Sequence, residues 1–424
     1  MFVRALYFEG NLSLTMIRSV IDANNELILV SGTDGVNSNP NMTLLEINVE
    51  NTTMKSGSKN IIDINSCSTH VHGNLSSSIF IGNGQSVVFD INVKFINLSA
   101  AFNEFKGGGR AIYVGLCDAP IEEYPSLHRL NILGNRFEMV SETAIGIHGN
   151  VDNIEITNNT FVSNKECFNP ALATFDFKSL KITKNIFQDN HAADGVIKLS
   201  QSRSGNSIVE ILQNTFESNT GTVISFTSPN IKSTVEILQN TFEKNTGTVI
   251  SCMSPNIKST VEILQNTFEN NTGTVISFKS PNINIYKNFF DNENADYTLK
   301  VVPNTINYVG SIINASLNYW GTTDLKRISR QIYDHDYDEA LLDVTFRPYL
   351  GSRNYSDIRN AENAFLSTSG EIGGSVNGEI KLTADDSPYL VASNIVVEEE
   401  DVLTLEGGVV LLFKEGHGID VYGE

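Results

Sequence analysis

The chain contains few cysteines, few basic residues and no long apolar run. Its 424 residues include four cysteines and one tryptophan, and 29 lysines and arginines stand against 49 aspartates and glutamates, giving a formal net charge of −20. Four cysteines are too sparse for a disulfide scaffold and lack the spacing of a metal site. Because no basic stripe is available to displace counterions from phosphate, we expect no nucleic acid among the partners.

The chain also lacks the signals of membrane insertion and export. No stretch reaches the roughly 18 apolar residues of a membrane span, and the start, MFVRALYFEG, has no apolar signal-peptide core. Strand-like patterns already run at both ends, in LSLTMIRSV and in GIDVYGE, without a capping element. We therefore expect the chain to be a fragment, so that secretion or membrane attachment depends on segments outside it.

What the chain does contain is a repeat. The stretch VEILQNTFESNTGTVISF, which begins at Val209, returns almost unchanged at Val235 and at Val261, with a period of 26 residues. Each copy has short runs rich in Val, Ile and Phe, separated by Asn, Gly, Ser and Pro, and no apolar spacing typical of a helix. A strand-only repeat of this length predicts an all-β fold, a right-handed parallel β-helix of the pectin-lyase-like kind with about eleven or twelve turns.

An asparagine recurs once per turn, two residues before a phenylalanine. A buried amide is costly by itself, but amides stacked in successive turns can donate NH₂ to the C=O of the next and so satisfy one another. A second asparagine follows five residues later in five of these turns, at Asn164, Asn190, Asn219, Asn245 and Asn271. The predicted structural ladder comprises Asn135, Asn159, Asn185, Asn214, Asn240, Asn266 and Asn288.

The phenylalanines return to the interior two positions after the ladder and predict a parallel aromatic stack. Trp320, followed by a glycine, suits a bulky cap at the end of this stack. Strand alternation places Val235, Ile237 and Ile250 inward and Glu236 outward. The predicted stack and cap are Phe137, Phe161, Phe187, Phe216, Phe242, Phe268, Phe290 and Trp320.

The cysteines are predicted to have little chemistry. Cys252 stands where the sister repeats carry phenylalanine, which indicates a small, buried free thiol. Cys117 and Cys167 are the pair best suited to a disulfide, but a separation of about two turns, a rise of roughly 9 to 10 Å, exceeds the usual reach unless loops bring them together. The disulfide pairing of the four cysteines stays open.

The chain divides into three parts. Residues 1–350 are predicted to form the first β-helix. Turn formers in GSRNYSD and STSGEIGGSVNGE mark residues 351–387 as a linker or a small β element. Strand-length apolar runs then resume from Pro388, so residues 388–424 are interpreted as the truncated start of a second β-helix array.

One segment carries a more specific pattern. Residues 312–350 contain Asn318-Tyr-Trp-Gly, an amphipathic stretch with Ile328, Ile332 and Tyr333, and VTFRPYL. This segment resembles the end of right-handed β-helix arrays in the bark beetle/Anakonda family, large invertebrate epithelial membrane proteins of tricellular junctions. The segment from GEIGGSVNG to GIDVYG resembles the start of the next array in that family. The resemblance covers residues 300–424 well and the rest as a generic β-helix.

The resemblance implies a non-catalytic extracellular segment with a structural or adhesive role in a large cell-junction membrane glycoprotein, in the setting of septate junctions. It places the chain on the extracellular side of the plasma membrane. The implied partners are other junctional or cell-surface proteins, with glycans as further candidates. Contact with the membrane is expected only through parts of the full-length protein that this chain lacks.

The alternative is a secreted β-helix that binds or cleaves polysaccharide. Such hydrolases resemble one another in an Asn-Thr-Asp, an Asp-Asp and a Gly-His-Gly that carry acid and base carboxylates. The chain has Asp385-Asp386 and Gly416-His417-Gly418 but no Asn-Thr-Asp before them, which favours simple turns. A catalytic site would show as a cluster of acids and a base on one lateral face of neighbouring turns. We predict no catalytic residue, no enzymatic activity and no cofactor.

Metal and phosphate sites are weakly signalled. Asp334, Asp336 and Asp338 alternate as in a calcium loop, but Glu339 and Thr345 occupy the positions where that loop needs Gly and Glu. We therefore expect surface acids and no metal site. The run KGGGR lacks the Lys-Ser/Thr pair and the following helix of a phosphate-binding loop.

Nine Asn-x-Ser/Thr sequons are candidates for N-glycosylation, about the number that a chain rich in Asn, Ser and Thr produces by chance. They are Asn11, Asn41, Asn51, Asn74, Asn97, Asn158, Asn270, Asn314 and Asn354.

Overall fold

The protein is described by a computed structural model. The described residues are 12–23, 28–31, 43–57, 60–84, 87–116, 128–148, 151–164, 172–175, 177–200, 207–227, 233–253, 259–303, 312–338, 340–359, 371–376 and 378–422. Two predicted sequons, Asn11 and Asn41, and the cysteine pair Cys117 and Cys167 lie outside these ranges.

Strands account for nearly all of the regular structure. In chain order they are β1 (Leu12–Ile17), β2 (Val20–Ala23), β3 (Ile28–Ser31), β4 (Thr43–Glu50), β5 (Thr53–Ser56), β6 (Ile62–Ser76), β7 (Ile79–Ile81), β8 (Val87–Ala101), β9 (Glu104–Lys106), β10 (Arg110–Leu116), β11 (Arg129–Leu133), β12 (Arg136–Glu138), β13 (Thr143–His148), β14 (Val151–Thr157), β15 (Thr160–Val162), β16 (Leu172–Phe175), β17 (Phe177–Thr183), β18 (Ile186–Gln188), β19 (His191–Ala192), β20 (Ile197–Ser200), β21 (Ser207–Leu212) and β22 (Thr215–Glu217). The order continues with β23 (Thr220–Thr227), β24 (Ser233–Leu238), β25 (Thr241–Glu243), β26 (Thr246–Cys252), β27 (Thr260–Leu264), β28 (Thr267–Glu269), β29 (Thr272–Phe278), β30 (Ile283–Tyr286), β31 (Phe289–Asp291), β32 (Ala295–Val301), β33 (Ile312–Asn314), α1 (Leu325–Ser329), β34 (Ile332–Tyr333), β35 (Asp343–Thr345), β36 (Tyr349–Leu350), β37 (Ile358–Arg359), β38 (Glu371–Ser375), β39 (Glu379–Leu382), β40 (Tyr389–Val397), β41 (Val402–Leu405), β42 (Leu411–Phe413) and β43 (Ile419–Val421).

The strands up to β35 stack in parallel to form a β-solenoid of about twelve turns. The predicted all-β solenoid is confirmed. Each turn passes through three lateral faces in the order A, B, C. Face A contains β1, β4, β11, β14, β17, β21, β24, β27, β30, β33, β35 and the second halves of β6 and β8; face B contains β2, β5, β7, β9, β12, β15, β18, β22, β25, β28 and β31; face C contains β3, β10, β13, β16, β19, β20, β23, β26, β29, β32, β34 and the first halves of β6 and β8.

Two of the bends in each turn are tight corners of two residues. In the repeat unit, corner 1 is Gln239 and Asn240, between faces A and B, and corner 2 is Lys244 and Asn245, between faces B and C. The first residue of each corner is left-handed, with φ of 55° at Gln239 and 53° at Lys244, which turns the chain within two residues. Leu317 adopts φ of 56° at corner 1 of a later turn, so this conformation tolerates an ordinary side chain.

The interior is a continuous apolar column filled by alternate residues of each strand. Val235, Ile237 and Phe242 of one turn are fully buried, and Ile250 and Cys252 of face C lie beside them. Complete burial of a side chain such as valine or phenylalanine contributes about 1.5–3 kcal/mol relative to exposure. Because each turn repeats this pattern, the core grows in proportion to the number of turns.

Glycine begins face C of the three near-identical turns for a steric reason. Gly247 has φ of 113°, and a Cβ there would lie 2.4 Å from the carbonyl oxygen of Gly221 in the preceding turn. Gly273 has the same relation to Gly247, at 2.5 Å. The glycines therefore allow the backbones of successive turns to approach closely where the chain leaves corner 2.

The solenoid ends in a compact closing segment. Asp324 caps α1, and its Oδ1 accepts hydrogen bonds from the backbone N–H of Lys326 at 3.0 Å and of Arg327 at 3.4 Å. The predicted amphipathic stretch places Ile328 and Ile332 in the core, where both are buried. Trp320 is buried as well.

The chain then folds back onto face B. Strands β36 and β37 pair antiparallel. Between them, Arg353 contacts the carboxylate of Glu269 and donates from Nη2 to Asp291 Oδ2 at 2.7 Å. The ring of Tyr355 stacks on Phe289 with centroids 5.0 Å apart. Residues 351–359 thus cover part of face B of the last turns.

Residues 371–421 form separate parallel sheets with a core of their own. Strands β38, β40, β42 and β43 make one sheet, and β39 pairs with β41 in another. The core includes Ile380, Leu382, Val391 and Ile395. These sheets begin at Glu371, inside the segment 351–387 that the sequence analysis interprets as a linker or small β element.

Candidate functional site on the lateral faces

The predicted ladder asparagines lie one above another at corner 1. Asn240 donates from Nδ2 to Asn266 Oδ1 at 3.0 Å and to the carbonyl oxygen of Ile211 in the preceding turn at 2.8 Å. Its own Oδ1 accepts from Asn214, both from Nδ2 at 3.0 Å and from the backbone N–H at 2.8 Å. Each amide therefore satisfies backbone groups of its neighbours as well as the next amide.

The ladder extends beyond the seven predicted positions. Asn103 precedes Asn135 and Asn318 follows Asn288, and both are buried. Before Asn103 the column continues with hydroxyl side chains: Ser78 donates its backbone N–H to Asn103 Oδ1 at 3.0 Å, and Thr52 donates its N–H to Ser78 Oγ at 3.1 Å. A hydroxyl thus replaces the amide as acceptor in the early turns.

A second ladder runs along corner 2. Asn219 donates from Nδ2 to Asn245 Oδ1 at 2.9 Å and to the carbonyl oxygen of Phe187 at 2.9 Å. Asn292 accepts from Asn271 at 2.9 Å and extends this column by one turn. The predicted members Asn164, Asn190, Asn219, Asn245 and Asn271 are all buried. The two ladders fix both corners of every turn that they cross.

The predicted phenylalanines form one stack on face B. From Phe105 to Phe268, consecutive ring centroids lie 4.7–4.9 Å apart and the rings are nearly parallel. Phe290 continues the stack, and Trp320 closes it at 5.2 Å with a tilt of 36°. Phe80 stands below Phe105 at 5.0 Å, so the column starts earlier than the sequence pattern indicates.

Face C carries a group of charged side chains that sequence reasoning missed. Asp63 and Asp90 occupy the same position in neighbouring turns. The Nδ2 of Asn60 donates to both, at 3.1 Å to Asp63 Oδ2 and at 3.3 Å to Asp90 Oδ2. In the next turns Arg110 donates from Nε to Glu142 Oε2 at 3.0 Å. Two acids and a cation therefore lie close together on one lateral face.

The electrostatics of this group follow from its position. Burial raises the pKa of the Asp90 carboxyl, and the Asp63 charge raises it further, whereas Arg110 and the hydrogen bond from Asn60 lower it. The Arg110 guanidinium also lies over the Tyr113 ring, 4.6 Å from its centroid. We call Asp63, Asp90, Arg110, Tyr113 and Asn60 the face C cluster. No local motif signals it, since its members come from three turns.

The aspartates of DHDYD differ from the expectation of surface acids. Asp334 is buried, and its carboxylate accepts the backbone N–H of Asp336 at 3.3 Å and of Val344 at 3.1 Å. Burial and the charges of Asp336 and Asp343 raise the pKa of Asp334 well above its ordinary range. Burial and the Asp343 charge raise the pKa of Asp336 to about 6. The expectation of solvated acids is therefore wrong for Asp334, which anchors the turn before β35.

Three histidines gather around one phenylalanine where faces C and A meet. The rings of His70, His72 and His128 lie 5.3, 5.6 and 5.2 Å from that of Phe95. Burial lowers the pKa of His128, against an opposite effect of Asp152, whose Oδ2 accepts the His128 backbone N–H at 2.9 Å. These contacts pack a corner of the solenoid.

The hydrolase-like residues lie in turns. Asp385 and Asp386 are in the turn between β39 and β40, where Asp386 accepts a hydrogen bond from Thr383 Oγ1 at 2.8 Å. His417 lies in the turn before β43, and its backbone N–H donates to the carbonyl oxygen of Lys414 at 3.2 Å. The two motifs therefore have local roles in turn formation, as their sequence context predicts.

A polar cavity of about 240 Å³ lies between the closing segment and the start of the second set of sheets. Its walls include Lys326, Arg330, Arg347, Asp336 and Gly374, so both parts of the chain contribute to it.

Within the described residues, no three His, Cys, Asp or Glu side chains are grouped closely enough to hold a metal ion.

The sequons in the described residues are all on the surface. The exposed asparagines are Asn51, Asn74, Asn97, Asn158, Asn270, Asn314 and Asn354.

Cys252 is buried and unpaired, and burial raises the pKa of its thiol to about 12. Among the described residues, no helix is long and apolar enough to cross a bilayer.

The chain is similar to Protein bark beetle of Drosophila melanogaster, with 28% identity over 144 residues. The matched region covers 33% of this chain and 5% of that protein. No family model matches the chain, and no solved structure matches it. The similarity supports a distant relationship to this one protein, of which the chain spans only a small part.

Proposed function

We propose that this chain is a non-catalytic structural segment of a large extracellular protein, a stiff spacer that carries adhesive contacts at epithelial cell junctions. About twelve stacked turns at roughly 4.8 Å each give a rod some 55–60 Å long. The amide ladders are the observation that carries the proposal, because they hold the turns that they cross at the same spacing. The distant similarity to Protein bark beetle supports the junctional setting.

The chemistry of the faces suits such a role. Acidic side chains recur at one position of successive turns, as in Glu210, Glu236 and Glu262 on face A. The net charge of −20 should keep free segments apart until a specific partner binds. We propose other junctional or cell-surface proteins as partners, bound to the lateral faces on the extracellular side of the membrane.

Antibody staining of intact epithelium tests the junctional setting. An antibody against residues 209–282 should mark the corners where three cells meet. Staining after knockdown of the transcript provides the control for specificity. A diffuse secreted or cytoplasmic signal would remove the junctional assignment and leave the solenoid unaffected.

The face C cluster favours a second candidate, a β-solenoid that binds or cleaves polysaccharide. Asp63, Asp90 and Arg110 partly meet the criterion of acids and a base on one lateral face. The purified chain should be incubated with pectin, alginate and glycosaminoglycans, with and without Ca²⁺. The structural proposal expects no new reducing ends and no unsaturated products.

Two matched variants make this assay decisive. Asp90→Asn removes an acid of the face C cluster, and Glu236→Gln removes an acid of face A. Turnover that is lost in Asp90→Asn and kept in Glu236→Gln would establish the second candidate and refute the structural proposal.

A further inference from the structure

We propose that N-linked glycans coat one side of the solenoid, face A with corner 1, and leave face C uncovered except beside Asn270 at corner 2. This inference rests on the proposed extracellular location, since N-glycans are attached to exported chains. It concerns the placement of the acceptor asparagines around the turn, which the register of the strands defines.

Three sequons lie on face A. Asn74 pairs in register with Asn48 and Ser99, and Asn314 with Asn284 and Thr345. The intervening pairs show that Asn74 and Asn314 belong to one outward column, which runs through Asn131, Glu155, Lys181, Glu210, Glu236 and Glu262. Asn97 stands in the neighbouring column of the same face, opposite His72 and Arg129.

Two more sequons lie at corner 1. Asn51 and Asn158 are the left-handed residues of this corner, with φ of 48° and 55°, in the place that Gln239 takes in the repeat. Both side chains are exposed. Since corner 1 borders face A, glycans at these positions extend the coat around one edge of the rod.

Strand geometry explains why the asparagines of the sequons and the buried asparagines of the ladder occupy different positions in the turn. In a strand, residues i and i+2 point to the same side, so an outward asparagine has an outward residue two positions later that can be Ser or Thr. Ladder asparagines are followed at that distance by an inward residue instead, such as Phe242 after Asn240. The buried ladder therefore contributes no sequon.

Face C has outward asparagines, but none of those described is in an Asn-x-Ser/Thr sequon. Asn65 and Asn92 stand in register in neighbouring turns, and Asn92 donates from Nδ2 to Asn65 Oδ1 at 3.4 Å. The residues two positions later are Cys67 and Lys94, in place of Ser or Thr. Of the sequons in the described residues, none lies on face C itself. Asn270 is at corner 2, which borders face C in one of the last turns, and Asn354 is in the segment that covers face B.

The consequence is a rod with two different sides. Glycans are bulky and solubilising, so they hinder protein contacts with face A around Asn74, Asn97 and Asn314. Face C, with the face C cluster near one end and the smaller side chains Ser225 and Ser251 in the repeated turns, stays open to a partner. The amides that shape the solenoid and those that carry its coat thus occupy different positions in the same turns.

Mass spectrometry of the exported chain tests the attachment. The chain is secreted from human cells behind an added signal peptide, and glycans are released with peptide-N-glycosidase in H₂¹⁸O, which labels each occupied asparagine. Labelling is expected at Asn74, Asn97 and Asn314. Secreted, cooperatively folded protein without label at these three positions would overturn the proposal.

Cysteine labelling tests the one-sided coverage. Asn284→Cys introduces a thiol on face A, one turn from Asn314, and Ser251→Cys introduces one on face C. Both variants also carry Asn270→Lys, which removes the sequon at corner 2 and supplies the residue type that Lys244 provides at the same corner of the preceding turn. Removing the glycans should speed the reaction of the first thiol with a bulky polyethylene glycol maleimide several-fold and leave the rate of the second unchanged. Equal effects of deglycosylation on both thiols would refute the one-sided coat.

These outcomes are independent of the junctional role. Occupancy and shielding are measured on secreted protein with an added leader, whereas the junctional assignment depends on staining in tissue. Failure of the staining would therefore leave the glycan map in place, and an empty glycan map would leave the staining result in place.

Discussion

Replacing Asn240 by leucine removes one amide from the middle of the buried ladder at corner 1. Leucine has the same number and branching of side-chain heavy atoms as asparagine but neither donates nor accepts a hydrogen bond. Asn240 is buried, with an exposed fraction of 1%. Water therefore has little access to the groups that the substitution leaves without partners.

The magnitude follows from the bonds that are lost. Asn240 Oδ1 accepts the backbone N–H of Asn214 at 2.8 Å, and this donor would be left buried without an acceptor. An orphaned buried donor costs about 1–3 kcal/mol. Asn214 Nδ2 also loses one acceptor but keeps the carbonyl oxygen of Ile182 at 2.9 Å, so its loss is nearer the net value of about 1 kcal/mol for one hydrogen bond. Taken together, these losses predict a destabilisation of about 2–4 kcal/mol.

The matched control is Gln239→Leu, the same kind of change one residue earlier. Gln239 is exposed, and its side chain bonds to Gln213 and Gln265 at the surface, at 3.1 and 3.2 Å. Leu317 occupies the equivalent position in a later turn with φ of 56°, so leucine fits the backbone there. The control should change stability by less than about 0.5 kcal/mol.

Chemical denaturation, followed by circular dichroism and by the fluorescence of Trp320, measures both variants against the parent. Equal stability of Asn240→Leu and the parent would refute the reasoning, because it would mean that the amides are hydrated or interchangeable with apolar groups. A large loss in the control as well would assign the effect to the corner rather than to the ladder.

Three further predictions concern titratable groups. Asn240→Asp places a carboxylate where Asn266 Oδ1 needs a donor. Because burial should raise the pKa of this carboxyl, the loss of stability relative to the parent should be largest near pH 7 and should shrink as the pH falls through the raised pKa. A loss of stability that is independent of pH would contradict the ladder chemistry. The pKa of Asp336 is raised to about 6, so as the pH falls the native state binds this proton at a higher pH than the unfolded state does. Asp336→Asn should therefore be more stable than the parent by about 1–3 kcal/mol at about pH 7.5 and should lose this advantage by about pH 4. The same stability difference at both pH values in urea titrations would argue against a buried acid that is repelled by its neighbours. The thiol of Cys252 has a pKa of about 12, so it should resist iodoacetamide at about pH 8 in the folded state and react after denaturation. Peptide mass spectrometry measures the modification, and rapid modification in the native state would show that the thiol is exposed.

The sequence predicts the regular parts of the molecule because, in a solenoid, residues that recur once per turn in the sequence stack above one another in the structure. The recurring Asn-x-Phe indicates both which residues stack and what they do, and Asn240 and Phe242 are placed by this rule. Where another residue type takes the asparagine position, the Asn-x-Phe rule no longer identifies the members of the ladder. Ser78 and Thr52 continue the ladder with hydroxyls, and Asn103 is 32 residues from Asn135, outside the range of steps that the pattern uses.

The face C cluster could not be predicted for a related reason. Asp63 and Asp90 are in register in the structure, but the early turns differ in length, so spacing alone does not align the two residues. The expectation for Asp334 fails because its neighbours in DHDYD suggest a solvated turn. Its burial depends on β35, which brings the Val344 N–H to the carboxylate.

Changing the number of repeats tests the central claim, that each 26-residue unit is one interchangeable turn of a stiff rod. Deleting residues 235–260 joins Thr234 to Val261, which reproduces the native step from Thr260 to Val261 and preserves the alternation of inward and outward residues. Inserting two further copies lengthens the same array. Small-angle X-ray scattering of the three proteins should show a length that grows by about 4.8 Å per repeat at a constant cross-section. A cross-section that changes with repeat number, or a deletion that no longer unfolds cooperatively, would contradict the account.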